Sequence, residues 1–220
     1  LSCDWSSDVC SSDLNAAKNK GGAKNKKSYY FCKSAKIKMI TKKDKDLYNY
    51  QKGAIFEIFK RFDNAASDYH LLYQLPTGGG KTIIFSEIVR QYLKNHSSRV
   101  VIMTHRIELC NQTSKVLTEF GVENKIINSK ASLEDQENYS CFVAMVETLN
   151  NRLLEDKLDI SNVGLVIIDE AHYNSFTKLF KFFDTSFILG VTATPLSSNI
   201  NLPMNDNYDE LIVGESIKEL

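Results

Sequence analysis

One eight-residue stretch reads Leu75-Pro76-Thr77-Gly78-Gly79-Gly80-Lys81-Thr82 and lies between an apolar run and a helical pattern. The run before it, residues 70–74, is mostly apolar and predicts a short buried strand. Three consecutive glycines allow a tight turn whose N–H groups point inward, with no Cβ to keep a phosphate away. We therefore predict a phosphate-binding loop whose ligand contacts come from Thr77, Gly78, Gly79, Gly80, Lys81 and Thr82.

Two side chains at the end of this loop would supply its chemistry. Lys81 would reach the β- and γ-phosphates of a nucleoside triphosphate, and Thr82 would offer its hydroxyl to Mg²⁺. Residues 82–94 carry apolar side chains at helical spacing, so we predict a helix whose dipole adds to phosphate binding. The strict pattern has glycine where Leu75 stands, and the alternative is a glycine-rich turn that holds no ligand.

Two adjacent acids follow an uninterrupted apolar run later in the chain. Residues 163–168 hold no polar side chain, which is typical of a strand buried on both faces of a parallel sheet. Asp169 and Glu170 come next, at the strand end where ligands bind in open α/β sheets. We predict that Asp169 holds Mg²⁺ through water and that Glu170 deprotonates the attacking water. A solvated strand end is the alternative, although burying two acids without a metal would be costly.

Three stretches, taken in order, resemble the motifs of one known family. The loop at 75–82, Asp169-Glu170-Ala171-His172 and Gly190-Val191-Thr192-Ala193-Thr194-Pro195 look like motifs I, II and III of superfamily 2 helicases of the DEAD/DEAH-box type. The resemblance covers residues 47–220, and residues 145–153 are most similar to helicases related to type I and type III restriction motor subunits. It implies a RecA-like lobe that uses Mg-ATP, with Lys81, Asp169 and Glu170 as catalytic residues. It also implies a coupling role for His172, Thr192 and Thr194.

The resemblance extends to weaker motifs. Gln51 matches the position that reads the adenine base, Thr104 and Arg106 match a nucleic-acid contact after a strand, and Thr148 matches a second such contact. Gln51 can alternatively be a polar residue at a helix start that contacts no base. At that junction between strand and helix, His105 and Arg106 can alternatively be solvated residues that contact no ligand.

The order of apolar patterns predicts an α/β fold with a mostly parallel sheet and helices on both faces, in one RecA-like P-loop lobe. The expected strands are 70–74, 99–104, 125–127, 141–146, 163–168 and 187–192. The expected helices are 51–62, 82–94, 106–120, a segment ending at 154, and 173–183.

Composition narrows the class of protein. The chain has 220 residues, 43% hydrophobic and 25% charged, which is ordinary for one globular domain. No run of 18 apolar residues occurs, so no membrane span is expected. Five scattered cysteines fit a reducing cytoplasm better than a disulfide framework.

The two ends of the chain carry separate expectations. Residues 1–38 are expected to be disordered and non-native read-through, since they begin with a Ser/Asp/Cys-rich run and continue with a Lys/Asn-rich one. Residues 1–46 carry a net charge of +6 and residues 47–220 a net charge of −6, so any nucleic-acid contact must be local. We expect the lobe at 39–212 and a continuation that starts at 213–220. A second RecA-like lobe of the same parent chain, supplying an arginine finger, is the expected partner.

Three functions remain open at this point. The first is an ATP-dependent helicase or translocase lobe that acts on DNA or RNA. The second is the motor subunit of a type I/III restriction complex, which translocates DNA without unwinding it. The third is a nucleotide switch without a nucleic-acid partner. The two threonines of the third motif favour the first two, because in the resembled family they couple hydrolysis to nucleic acid.

Overall fold

A computed structural model describes residues 46–65, 68–128, 138–155, 158, 160–199, 201 and 203–216. The expectations for residues 1–38, for the first residues of the lobe and for 217–220 lie outside this part of the chain. Within it, no helix is both long and apolar enough to cross a lipid bilayer.

In the described part of the chain, seven strands form one sheet in the order β3-β4-β2-β5-β6-β1-β7, and every pairing between them is parallel. The strands are β1 (His70–Gln74), β2 (Arg99–Thr104), β3 (Lys125–Ile127), β4 (Cys141–Met145), β5 (Val163–Asp169), β6 (Phe187–Thr192) and β7 (Glu210–Val213). The α-helices among the described residues are α1 (Asn49–Asn64), α2 (Lys81–Asn95), α3 (Ile107–Glu119) and α4 (Val146–Leu154). The same residues include two 3₁₀ segments, at Asn174–Phe182 and Met204–Asp206.

Each central strand is buried on both faces, because alternate side chains enter two separate cores. Leu71 and Tyr73 of β1 lie in the core beneath α1, α2 and α3, whereas Leu72 lies in the opposite core. That second core is completed by α4 and by the 3₁₀ segment 174–182. The predicted α/β fold with a parallel sheet and helices on both faces is confirmed.

The segment 174–182 differs from its prediction as an α-helix. It is a 3₁₀ helix, with three residues per turn instead of 3.6. Phe176 and Leu179 are three residues apart and both fully buried, and the partly buried Phe182 continues the same spacing. In a 3₁₀ helix, side chains three residues apart eclipse one another, so this spacing places the three apolar side chains in one row against the sheet.

The sequence patterns did not reveal β7. It adds to the free edge of β1, and the Gly214 N–H extends the pairing by donating to the carbonyl of Gln74 at 2.8 Å. β7 alternates between half-buried and exposed residues and is only four residues long, so it has no continuous apolar run. It ends at Val213, one residue beyond the lobe boundary expected from sequence.

Candidate functional site

The loop between β1 and α2 lies at the carboxyl end of the sheet and is shaped by its glycines. Gly78 and Gly80 have φ angles of 87° and 81°, in the left-handed region that favours glycine. Gly80 is also the N-cap of α2, and a Cβ built on it would lie 2.6 Å from Nε2 of Gln51. The side chain of Tyr50 supports the loop by donating its hydroxyl to the carbonyl of Gly79 at 2.9 Å.

Lys81 is the first residue of α2, and its ammonium group lies between the loop and the carboxyl end of β5. Its Nζ lies 3.4 Å from the carbonyl oxygen of Leu75 and 3.7 Å from Oε1 of Glu170. Both contacts are long for a charged donor, although the side chain is only 9% exposed. An anion placed over the loop would therefore meet a buried cation that the protein itself leaves weakly paired.

Asp169 ends β5 and is 6% exposed. Burial and, to a smaller extent, the neighbouring charge of Glu170 raise the pKa of its carboxyl group to about 6, although the ammonium group of Lys81 acts in the opposite direction. Its Oδ1 accepts a hydrogen bond from the N–H of Glu170 at 3.1 Å. A cation bound here would stabilise the ionised form that burial disfavours.

Glu170 follows in a backbone conformation that non-glycine residues rarely adopt. Its φ angle is 54°, which typically costs about 1–2 kcal/mol for an L-residue. This turn sends the side chain back toward Lys81, while the N–H of Ala171 returns to β6 by donating to the carbonyl of Val191. Backbone strain of this kind is concentrated at functional sites.

A hydrogen-bonded network joins His172 to the third motif. Nδ1 of His172 lies 3.0 Å from the hydroxyl of Thr192, which donates to the carbonyl of Thr194 at 2.9 Å and accepts from its N–H at 3.2 Å. Because the single hydroxyl proton of Thr192 is used toward Thr194, Nδ1 of His172 must carry the proton toward Thr192. The same Nδ1 lies 3.4 Å from Oε2 of Glu170.

These residues fit a magnesium-bound nucleoside triphosphate. Among the described residues, no three His, Cys, Asp or Glu side chains group together as a metal site. A cation would instead take oxygen ligands from Asp169, from the half-buried Thr82 at the start of α2, from phosphate and from water. Mg²⁺ accepts this arrangement because it keeps several waters and binds through one or two carboxylates plus phosphates.

Gln51 is placed beside the loop but is already engaged. It is 4% exposed, its Oε1 accepts the N–H of Tyr48 at 3.0 Å, and its Nε2 lies 3.5 Å from the Tyr50 hydroxyl. Gln51 therefore holds the start of α1 and also lies next to the phosphate loop. Tyr48 is 69% exposed and stacks on Tyr50, with ring centroids 5.8 Å apart and planes at 8°.

The candidate nucleic-acid contacts are placed differently from one another. Thr104 is fully buried, and its hydroxyl donates to the carbonyl of Arg106 at 3.1 Å. A direct contact through the Thr104 side chain, as the sequence suggested, is thus not available in this conformation. Arg106 is exposed at the start of α3, and Thr148 is half-buried in α4.

Two tyrosines at this site were not predicted from sequence. Tyr50 supports the phosphate loop, and Tyr173 packs between the rings of His105 and His172. Burial and the charge of Arg106 lower the pKa of His105, and the charge of Glu170 opposes them. Tyr173 directly follows the Asp-Glu-Ala-His motif, which was the one signal that could have drawn attention to it.

Comparison with known proteins identifies the family. A sequence profile described as "Type III restriction enzyme, res subunit" (ResIII) matches residues 44–197. The chain belongs to the ResIII family. The matched range contains the phosphate loop, the paired acids and Thr192 with Thr194, so the resemblance to the N-terminal lobe of superfamily 2 helicases is confirmed.

The matches between this ResIII lobe and its individual relatives extend over only part of the lobe. The IRC3 protein of Saccharomyces cerevisiae is 34% identical over 136 residues, which is 54% of this chain and 19% of IRC3. The ATP-dependent RNA helicase DBP10 of Pyricularia oryzae is 34% identical over 108 residues, covering 43% of this chain and 12% of DBP10. The chain thus spans less than a fifth of the length of either relative.

Solved structures support the same fold at lower identity. The UvsW helicase from bacteriophage T4 superposes with a TM-score of 0.59 at 21% identity, over 76% of this chain and 59% of UvsW. The Type ISP restriction-modification enzyme LlaGI, solved in complex with a DNA substrate mimic, gives a TM-score of 0.63 at 18% identity. That match covers 78% of this chain and 20% of LlaGI.

Proposed function

We propose that this chain is the ATP-binding lobe of a helicase or translocase that couples hydrolysis of Mg-ATP to movement on DNA or RNA. The observation that carries this proposal is the convergence of Lys81 and Glu170, with Asp169 beside them, at the carboxyl ends of β1 and β5. A buried ammonium group and two carboxylates thus lie beside a glycine loop, which is the set of groups that hydrolysis of a magnesium-bound triphosphate requires.

Each side chain takes one part in the proposed reaction. Lys81 neutralises the β- and γ-phosphates, and the N–H groups of residues 78–82 cradle them. Asp169 and Thr82 would hold Mg²⁺, which would supply positive charge to offset the charge of the phosphates. Glu170 orients the attacking water and accepts its proton, the role of a general base. His172 keeps the carboxylate of Glu170 next to the threonines of the third motif.

The nucleic-acid part of the proposal is supported by relatives rather than by a bound strand. DBP10 is an RNA helicase by name, and the LlaGI structure holds a DNA substrate mimic. Arg106 is exposed at a strand–helix junction and is the described residue that we propose as a phosphate-backbone contact, with Thr148 as a second. The Thr104 hydroxyl would act indirectly by fixing the carbonyl of Arg106.

A second candidate function is favoured by one specific observation. The matched family description is that of a restriction enzyme subunit, so the same lobe would also serve as the motor of a restriction complex that translocates DNA without unwinding it. A strand-displacement assay separates these candidates, since only a helicase releases the displaced strand during ATP turnover.

We further propose that the lobe works against a second RecA-like lobe whose arginine completes the site. An arginine supplied in this way contributes about 10³–10⁵ in rate. The 220-residue chain by itself should therefore bind ATP but turn it over far below about 1 s⁻¹, the lower end for complete phosphoryl-transfer enzymes.

Phosphate release tests these proposals in two steps. The chain alone, and the chain joined to a second lobe, are assayed with single- and double-stranded DNA and RNA. The joined protein should be stimulated by at least one nucleic acid. Turnover near 1 s⁻¹ by the chain alone would refute the need for a second lobe. ATP turnover by the joined protein that no nucleic acid changes would refute the nucleic-acid role.

A further inference from the structure

Three aromatic rings lie in a row between the proposed nucleic-acid contact and the catalytic acids. The ring centroids of His105 and Tyr173 are 4.1 Å apart with planes at 35°, and those of Tyr173 and His172 are 4.2 Å apart at 37°. His105 follows β2, whereas His172 and Tyr173 follow β5. Tyr173 is thus the ring through which side chains from two neighbouring strand ends meet.

One end of this row lies at the exposed loop that begins α3. His105 directly precedes Arg106, which is exposed at the N-terminus of that helix. The buried Nδ1 of His105 has no hydrogen-bond partner within the described part of the chain. The orientation of the His105 ring is therefore set by packing, and Tyr173 is its ring neighbour.

The other end of the row lies at the reacting groups. His172 is held by the Thr192 hydroxyl at 3.0 Å and lies 3.4 Å from Glu170, which in turn faces Lys81 at 3.7 Å. A ligand that draws Lys81 toward phosphate, or that moves Glu170, changes the contacts of His172. Packed rings do not deform continuously, so a shift of His172 requires Tyr173 to move or repack.

We infer that Tyr173 is a positioning residue that couples the nucleotide site to the His105–Arg106 loop. The inference rests on the proposed function, because it presumes that a nucleotide binds next to Lys81 and Glu170. The described ring contacts of Tyr173 are with His105 and His172. It acts by fixing the relative orientation of the two histidine rings on either side of it.

The chain offers a direct readout because it contains only four histidines. His105 and His172 lie in the row of rings, whereas His70 begins β1 and His96 directly follows α2, so His70 and His96 serve as internal references. The imidazole C–H signals of the four histidines can be assigned by single substitutions in an NMR spectrum at fixed pH. Saturating Mg-ATPγS should shift the signals of both His172 and His105 and leave those of His70 and His96 in place.

Substitution of Tyr173 then tests the link. Tyr173→Leu removes the ring and should abolish most of the His105 shift while keeping the His172 shift and ATPγS affinity within about twofold. Tyr173→Phe keeps the ring and should retain both shifts. Tyr139→Leu is the matched control, since Tyr139 is also a half-buried tyrosine packed on the same core but lies outside the row of rings.

The outcomes separate this inference from the function on which it rests. Absence of ATPγS binding to the folded chain would overturn both. Binding that shifts His172 but not His105 in the wild-type chain, or a His105 shift that survives in Tyr173→Leu, would overturn the coupling alone. If Tyr173→Leu does not fold, Tyr173→Met supplies a flexible side chain without a ring and is judged by the same criterion.

Discussion

The two ends of the parallel sheet treat their charges in opposite ways. At the amino end, Glu210 accepts hydrogen bonds from the Tyr69 hydroxyl at 2.7 Å and from Nε of Arg61 at 3.1 Å. At the carboxyl end, Lys81 and Glu170 are 3.7 Å apart, and Asp169 is buried beside another carboxylate. The charges of the first group satisfy one another, whereas those of the second remain weakly paired.

The difference is also visible in the direction of the pKa shifts. The Tyr69 hydrogen bond lowers the pKa of Glu210, so the fold favours the ionised carboxylate there. Burial raises the pKa of Asp169 to about 6, so the fold disfavours the ionised carboxylate there. Glu170 adds a left-handed backbone conformation at the same place. The paired charges at the amino end stabilise the lobe. At the carboxyl end, the buried carboxylate and the strained backbone lower the stability of the ligand-free lobe, at a candidate site that a ligand would complete.

The largest expected effect is on the chemistry at the carboxyl end. Glu170→Gln in the protein that joins this lobe to a second lobe should keep ATP affinity but lower turnover by roughly 10²–10⁴-fold, because the general base is lost. Asp169→Asn should also lower turnover and, unlike Glu170→Gln, weaken the dependence of ATP binding on Mg²⁺. Steady-state phosphate release and a magnesium titration measure the two effects, and normal turnover by Glu170→Gln would show that another group is the base.

A smaller effect is expected on nucleotide binding by the chain itself. Lys81→Ala should weaken Mg-ATP binding by about 10- to 150-fold, because hydrogen bonds to a charged group contribute roughly 1.5–3 kcal/mol. Lys115→Ala, at an exposed position of α3, is the control and should bind ATP as the wild-type chain does. Calorimetric titration gives both dissociation constants. Equal values for wild type and Lys81→Ala would contradict a phosphate site at this loop.

The contrast between the two ends of the sheet also predicts how stability depends on pH, and Asp169 at the carboxyl end gives the larger effect. Because its folded pKa is above the unfolded value, the ligand-free chain should lose stability as pH rises from about 4 to about 6 and then level off. Asp169→Asn should remove this slope and raise the free energy of unfolding at pH 7–8 by about 1–3 kcal/mol. Urea unfolding at several pH values measures it. Asp184→Asn, at an exposed position, should leave the slope unchanged.

The smallest effect, and the one of opposite sign, belongs to the amino end. Because the pKa of Glu210 is lowered in the fold, its contribution is present above the unfolded pKa and is lost as pH falls through the folded one. Glu210→Gln should destabilise the chain near neutral pH by about 0.2–1 kcal/mol, since the group is partly exposed. Glu123→Gln, exposed between α3 and β3, is the control. A stabilising Glu210→Gln would remove the contrast between the two ends.

Much of the site was predictable because its residues are consecutive. The loop at 75–82 and the acids at 169–170 each follow an apolar run, and both signals depend only on local order. Local order also predicted six strands, because a strand buried on both faces must be apolar throughout. It could not predict the 3₁₀ form of 174–182, which follows from how Phe176 and Leu179 meet the sheet.

Chemical identity is thus written into this chain locally, since a phosphate loop and a metal-binding acid need particular residue types in a particular order. Which distant residues come into contact is not encoded locally, because contacts between distant segments depend on strand order and helix packing. Only the folded chain shows that β7 joins β1, that the Thr104 hydroxyl faces inward, and that Tyr173 packs between His105 and His172. The physical reason is that sequence patterns report which side chains are buried, whereas partners are chosen by the sheet that brings them together.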